Sequence, residues 1–263
     1  MTGIEPLLAH AVPFILVATR MLGLFVFAPI LSSVSVPGHA KALLAFMLAA
    51  AVYPSIPAHF AGARADLFGL LPLLVSETLI GVCVGLIGAV PVMMLQLGGQ
   101  VAGFQMGLSM ASVYNPEFDT QSDVLGETLF YLGFAVFLSV GGLEAMYAAL
   151  LGTFERVPLG GMAVASVPLE SYVGLAGSGF EMALRVSAPA SAIVFLIMVA
   201  MGFVMKTMPQ INVMSVGFAV KIVAGILATA LALQVIHNVA AEEAARVLDL
   251  LARWVDGLSA RGG

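Results

Sequence analysis

Charged side chains are scarce in this sequence. Only 10% of its 263 residues are Asp, Glu, Lys or Arg, against about 25% in a soluble globular domain. That deficit excludes an ordinary soluble protein, which needs charge to cover a water-facing surface. Basic runs are missing too. With a net charge of −5 spread thinly, nothing stands ready to neutralise a row of phosphates, so nucleic-acid binding is excluded. One cysteine, Cys83, rules out a disulfide within the chain and reads as a buried structural thiol in its apolar run. Catalytic spacing is absent as well. His10, His39, His59 and His237 are scattered, with no H-x-x-E or H-E-x-x-H pattern for a metal. No G-x-x-x-x-G-K-[ST] loop occurs, and "SVGGLE" at 139–144 lacks the lysine that a phosphate loop needs. An enzyme, a metal site and a cofactor are therefore not expected.

What fills the space is apolar. Hydrophobic residues make up 61% of the chain, and the mean hydropathy is +1.08. A membrane span needs about 20 such residues. Candidate segments are 11–31, 42–57, 67–101, 126–151, 173–205 and 211–236. The N-terminus carries Glu5 and no basic leader region, so the first segment is expected to be retained. After the last segment comes an amphipathic tail, "HNVAAEEAARVLDLLARWVDGL", in which Val239, Val247, Leu250, Leu251 and Trp254 share a face. It reads as a surface or partner-facing helix.

Two runs are too long for one simple span. From Thr78 to Pro116 there are 39 residues without a formal charge. As a straight helix they would measure about 58 Å, against a hydrocarbon core of about 30 Å. Pro91 and glycines 81, 85, 88, 98, 99 and 103 are expected to supply breaks. In the second run, "KTMPQIN" interrupts 173–236 at Pro209 and Gln210. Gly81, Gly85 and Gly88 also form a small-residue face of the kind that lets helix backbones approach closely.

Several ionisable residues lie within apolar segments: Arg20, Glu77, Glu144, Arg185, Lys206 and Lys221. A charge at the bilayer centre costs about 2.5–3.5 kcal/mol on insertion scales. Arg20, Glu77, Glu144 and Lys221 are candidates for a polar pathway or for buried pairs that fix helix assembly. The competing reading is snorkelling to the headgroups, which leads for Arg185 and Lys206 near segment ends. Arg20 with Glu77 is one possible pair. Methionines cluster at 93, 94, 106 and 110 and again at 198, 201, 205 and 208. They suit either ordinary core filling or an adaptable seal.

Four blocks in order, "FAPILSSVSVPGHAKALLAF", "GQVAGFQMGLSMASVYNP", "FERVPLGG" and "MPQINVMSVGF", resemble the FliR family, the membrane component of the flagellar type III protein export gate. The resemblance runs from about residue 12 to 236. It implies an all-α fold of hydrophobic, broken helical hairpins in an integral membrane, export-gate subunit. The whole of 1–263 would form one FliR-like domain, with a FliP-like part over roughly 1–170 and a FliQ-like hairpin and tail over 171–263. FliP and FliQ are the implied partners in a hetero-oligomeric gate, with FlhB and FlhA beside it, and unfolded flagellar proteins pass through the pore. The implied location is the bacterial inner membrane, at the flagellar basal body. Apolar helices longer than a bilayer are accommodated because protein surrounds them.

By the same resemblance, 103–124 is a pore plug. Gly103, Gln105, Met106, Gly107, Met110, Val113, Tyr114, Asn115 and Pro116 would form its seal. The residue chemistry suits this: Gly103 and Gly107 allow tight turns, Met106, Met110 and Val113 are apolar, and Asn115-Pro116 ends a helix. The family often places aromatic residues where this chain has Met110 and Val113. An injectisome (virulence type III secretion) paralogue shares much of the pattern. From another class, a stand-alone secondary transporter would require inverted repeats and a convergent polar site, and neither is evident.

Overall fold

The computed structural model describes residues 5–29, 36–56, 67–108, 123–161, 169–207 and 213–258. Every regular element among them is helical. In chain order they are α1 (Glu5–Phe27), α2 (Gly38–Val52) with a 3-10 turn (Tyr53–Ser55), α3 (Leu67–Met106) and α4 (Val124–Ser139). They continue as α5 (Gly142–Arg156), α6 (Leu169–Thr207), α7 (Val213–Leu231) and α8 (Leu233–Leu258). The fold is all-α and of membrane type. Helices α1, α3 and α6 are each long and apolar enough to cross a bilayer. Counting α4 with α5, and α7 with α8, as interrupted spans raises the number to five.

Three expectations change. The segment 42–57 becomes α2, a helix of 15 residues that rises only about 22 Å and falls short of a span. The segment 126–151 is interrupted where Gly141 adopts φ 74°, a left-handed conformation that ends α4 and starts α5. Helix α3, by contrast, is not broken at Pro91 or at its glycines; it continues over 40 residues to Met106. Proline removes one helical hydrogen bond, yet Ile87, Ala89, Val90 and Val92 around it are all buried. That packing holds the helix together.

Contacts divide the chain into two units. The first comprises Met1–Val90, Gly141–Leu175 and Ala245–Gly263. In it α1 and α2 share an edge-to-face aromatic group of Phe14, Phe46 and Tyr53, and His10 Nδ1 lies 2.8 Å from the Tyr53 hydroxyl. Helices α1 and α3 approach backbone to backbone. A Cβ on Gly81 would overlap Arg20 O and lie 2.7 Å from Leu24 N, and one on Gly85 would lie 2.6 Å from Leu24 O. Only glycine permits that spacing. Gly88 instead faces the Met146 side chain of α5. The end of α8 closes the unit, where Leu258 and Trp254 pack on Ile80 and Val157.

The second unit comprises Pro91–Val140 and Ala176–Ala244. Its core joins Leu95 of α3, Leu129 and Val136 of α4, Met182 and Val186 of α6, and Ile236 and Ala240 of α8. Close approaches recur here: a Cβ on Gly99 would lie 2.7 Å from Gly126 Cα, and one on Gly98 would lie 2.9 Å from Ala183 O. The amphipathic tail thus starts earlier than expected, at Leu233. Its innermost stripe is Ile236, Ala240, Ala244, Val247, Leu251, Val255 and Leu258, and Val239, Leu250 and Trp254 flank it half-buried.

Candidate functional site

Two arrangements stand out, one in each unit. In the first, Arg20 of α1 and Glu77 of α3 meet with both side chains 0% exposed. Arg20 Nε donates to Glu77 Oε2 at 2.5 Å, and Arg20 Nη1 donates to Thr153 Oγ1 at 3.0 Å. A longer contact runs from Arg20 Nη2 to Val157 O at 3.5 Å, and the guanidinium lies 4.2 Å from the Phe154 ring centroid. The second carboxylate oxygen, Glu77 Oε1, accepts from the Gly160 backbone N–H at 2.6 Å. Gly160 reaches it with φ 77°, which glycine adopts without strain. Thr153 passes its own proton back to Leu150 O at 2.6 Å. Charge and hydrogen-bonding capacity are thus met inside an apolar region, the condition under which a buried pair survives desolvation.

The second arrangement is the base of the polar segment that follows α3. The helix ends at Met106, which is fully buried against Gly225 of α7 with Ala190 and Val194 of α6 nearby. Gly107 turns with φ 89°, and a Cβ there would lie 2.8 Å from the Phe218 ring. The turn is closed by N–H groups of Gly107 and Leu108, which donate to Gly103 O at 3.1 and 3.0 Å. On the return side, Asp123 caps α4 by accepting from the Gly126 N–H at 3.2 Å. A Cβ on Gly103 would lie 3.0 Å from Asp123 Oδ1. Glycines at 99, 103 and 126 therefore let the two ends of the segment be held side by side.

Of the residues singled out from sequence, Gly103, Met106 and Gly107 are buried in this base, while Gln105 faces outward beside Phe104. Met110, Val113, Tyr114, Asn115 and Pro116 lie outside the described residues, as do Pro209 and Gln210. Arg20 and Glu77 come together. Glu144 is exposed in the first turn of α5. Lys221 is half-buried on α7, four residues from each of Gly217 and Gly225, which pack on Met201 and Met106. Among the described residues, no three His, Cys, Asp or Glu side chains converge as a metal site would need.

Sequence reasoning missed the partners of the buried pair. Thr153, Phe154, Val157 and Gly160 all come from the stretch around "FERVPLGG", quoted only as a signature. The available signal was its Pro-x-Gly-Gly ending, a turn motif that places free backbone N–H groups close to helix ends.

Comparison with known proteins is consistent along nearly the whole chain. The bacterial export proteins, family 1, match residues 11–247. The chain is 28% identical to the flagellar biosynthetic protein FliR of Bacillus subtilis (strain 168) over 230 residues, covering 86% of this chain and 88% of the relative. Against the FliR of Escherichia coli (strain K12) identity is 30% over 210 residues, covering 79% and 78%. Against Yop proteins translocation protein T of Yersinia pestis it is 25% over 220 residues, covering 82% of each. The chain belongs to the bacterial export proteins, family 1, as a member of the FliR family.

Proposed function

We propose that this chain is a subunit of the flagellar type III protein export gate, forming with FliP and FliQ the pore through which unfolded flagellar proteins leave. FlhB and FlhA are its neighbours, and the assembly lies in the bacterial inner membrane at the flagellar basal body. The observation that carries this reading is the family match over residues 11–247, joined to flagellar relatives over 79–86% of the chain. A type III export component of this kind acts by shape. It holds a pore wall in place and closes it when no substrate is present.

In this reading, residues 1–170 form the FliP-like part and 171–263 the FliQ-like part. The segment 103–124 is the plug. Support comes from its base: Met106 and Gly107 anchor one end, and Asp123 with Gly126 anchors the other. An anchored base fixes where the segment leaves α3 and where it rejoins α4. Deleting 110–119 therefore leaves assembly intact and makes the closed gate leak small solutes, read as dye or ion flux across membranes that contain the complex. Membranes of the deletion variant as tight as wild type would refute the plug.

An injectisome role is the second reading, favoured by the 25% identity to Yop proteins translocation protein T. Mild solubilisation of the tagged chain with mass spectrometry of what accompanies it separates the two. Flagellar gate subunits support the first reading, and injectisome subunits the second. A chain that purifies alone refutes both.

A further inference from the structure

Two helices of equal apolar character differ sharply in what covers them. In α3 the most apolar stretch, mean hydropathy 2.3, is 67% buried within the chain; in α6, with the same mean hydropathy, the figure is 11%. We infer that the outer face of the α6–α7 hairpin is the surface by which this chain contacts lipid acyl chains, and that α3, the longest apolar helix, is not. This goes beyond the gate reading and does not depend on it.

Three observations lead to a bilayer as the occupant. First, α6 carries no charge between Arg185 and Lys206, and both of those residues are exposed. The 20 residues between them rise about 30 Å, the thickness of a hydrocarbon core. Lys206 at one end is placed for a lipid phosphate, and at the other end Arg185 is paired with Glu181 at 2.6 Å, which sets a polar boundary there. Second, the exposure is not one-sided. Beyond Val194 no residue of α6 is fully buried, and Phe195, Leu196, Met198 and Phe203 are each more than half exposed. A single docking helix covers one stripe, whereas a fluid covers every side. Third, the charge in the middle of α7 is half-buried and lies off the most exposed stripe of the helix. Lys221 shares the stripe of Gly217 and Gly225, which face Met201 and Met106, while Val223, Leu227 and Leu231 point out. The most exposed stripe of α7 is therefore apolar.

The test is collision accessibility of nitroxide labels on the full chain, in the complex with which it purifies, reconstituted into phosphatidylethanolamine–phosphatidylglycerol vesicles. Single cysteines replace Leu184, Phe195, Leu196, Phe203, Val223 and Leu227, and buried Cys83 serves as an unlabelled background. The expected result is high oxygen and low nickel-chelate collision at 195, 196, 203, 223 and 227. The oxygen-to-nickel ratio should peak at 195–196, midway between Arg185 and Lys206, and fall several-fold at 184. Labels excluded from both reagents would show a protein partner over this face and overturn the inference. Labels open to nickel would show water and overturn it equally. A complex whose hairpin is sealed from both reagents refutes only this inference. A lipid-covered hairpin on a chain that purifies alone refutes only the gate reading.

Discussion

Removing one member of the buried pair has a cost that follows from its surroundings. Glu77→Gln keeps an acceptor for the Gly160 N–H but leaves the Arg20 guanidinium without a counter-charge at 0% exposure. Arg20→Met leaves the carboxylate in the same position. Breaking a buried pair from one side costs about 3–5 kcal/mol, and at roughly 2–4 °C per kcal/mol the midpoint of thermal unfolding should fall by about 6–20 °C. The double variant Arg20→Met, Glu77→Leu behaves differently. Both charges leave together, and Thr153 still donates to Leu150 O. What remains is an orphaned Gly160 N–H, worth about 1–3 kcal/mol, so the double variant melts above either single variant. The internal control is Arg156 with Asp256, paired at 2.6 Å but 29% and 70% exposed. Breaking that pair costs at most about 1 kcal/mol. The assay is thermal unfolding in mild detergent, followed by circular dichroism. Single variants of the buried pair that melt like the Arg156 control, or a double variant whose loss equals the sum of the singles, would refute the reasoning.

Three further outcomes follow from the glycine contacts and the cap. Gly81→Ala destabilises more than Gly88→Ala in the same melt, because the first clashes with α1 backbone and the second with the pliable end of Met146; the reverse order would contradict the close packing of α1 on α3. Gly107→Ala costs about 1–2 kcal/mol from its left-handed conformation alone, before Phe218 is displaced, and Phe218→Ala should recover only the second part. Asp123→Ala removes the cap of α4 at a cost of about 0.5–2 kcal/mol, whereas Asp123→Asn retains most of it. Amide hydrogen exchange in the first turn of α4 reads that difference, and equal exchange in the two variants would rule out the cap.

The membrane class was legible because it rests on an amount, the deficit of charge. Element positions followed from the same bulk pattern, since apolar segments must become helices where backbone groups lack water. Boundaries were harder. Pro91 and six glycines promised breaks in α3, yet burial of its neighbours outweighed local propensity, while Gly141 ended α4 with no proline to announce it. The amphipathic tail showed its period, but the centre of its buried stripe depended on which elements flank α8. Contacts between distant residues were the least legible. Arg20 and Glu77 stand 57 positions apart. Each reads alone as a costly charge, and only the fold reveals that the turn at 157–161 completes their coordination. For the polar segment, sequence showed the glycines and the aspartate, but not that Gly103 and Asp123 come side by side.

The buried pair also has a history within each molecule's synthesis. Arg20 leaves the ribosome 57 residues ahead of Glu77 and 133 ahead of Thr153. At roughly 5–20 residues per second, α1 waits about 3–11 s for its counter-charge and longer for the hydroxyl that completes it. During that interval full insertion of α1 would strand a cation at about 2.5–3.5 kcal/mol. Arg20 is therefore without its counter-charge until α3 has been made, and the close packing of α1 on α3 at Gly23, Gly81 and Gly85 is what brings the two charges together.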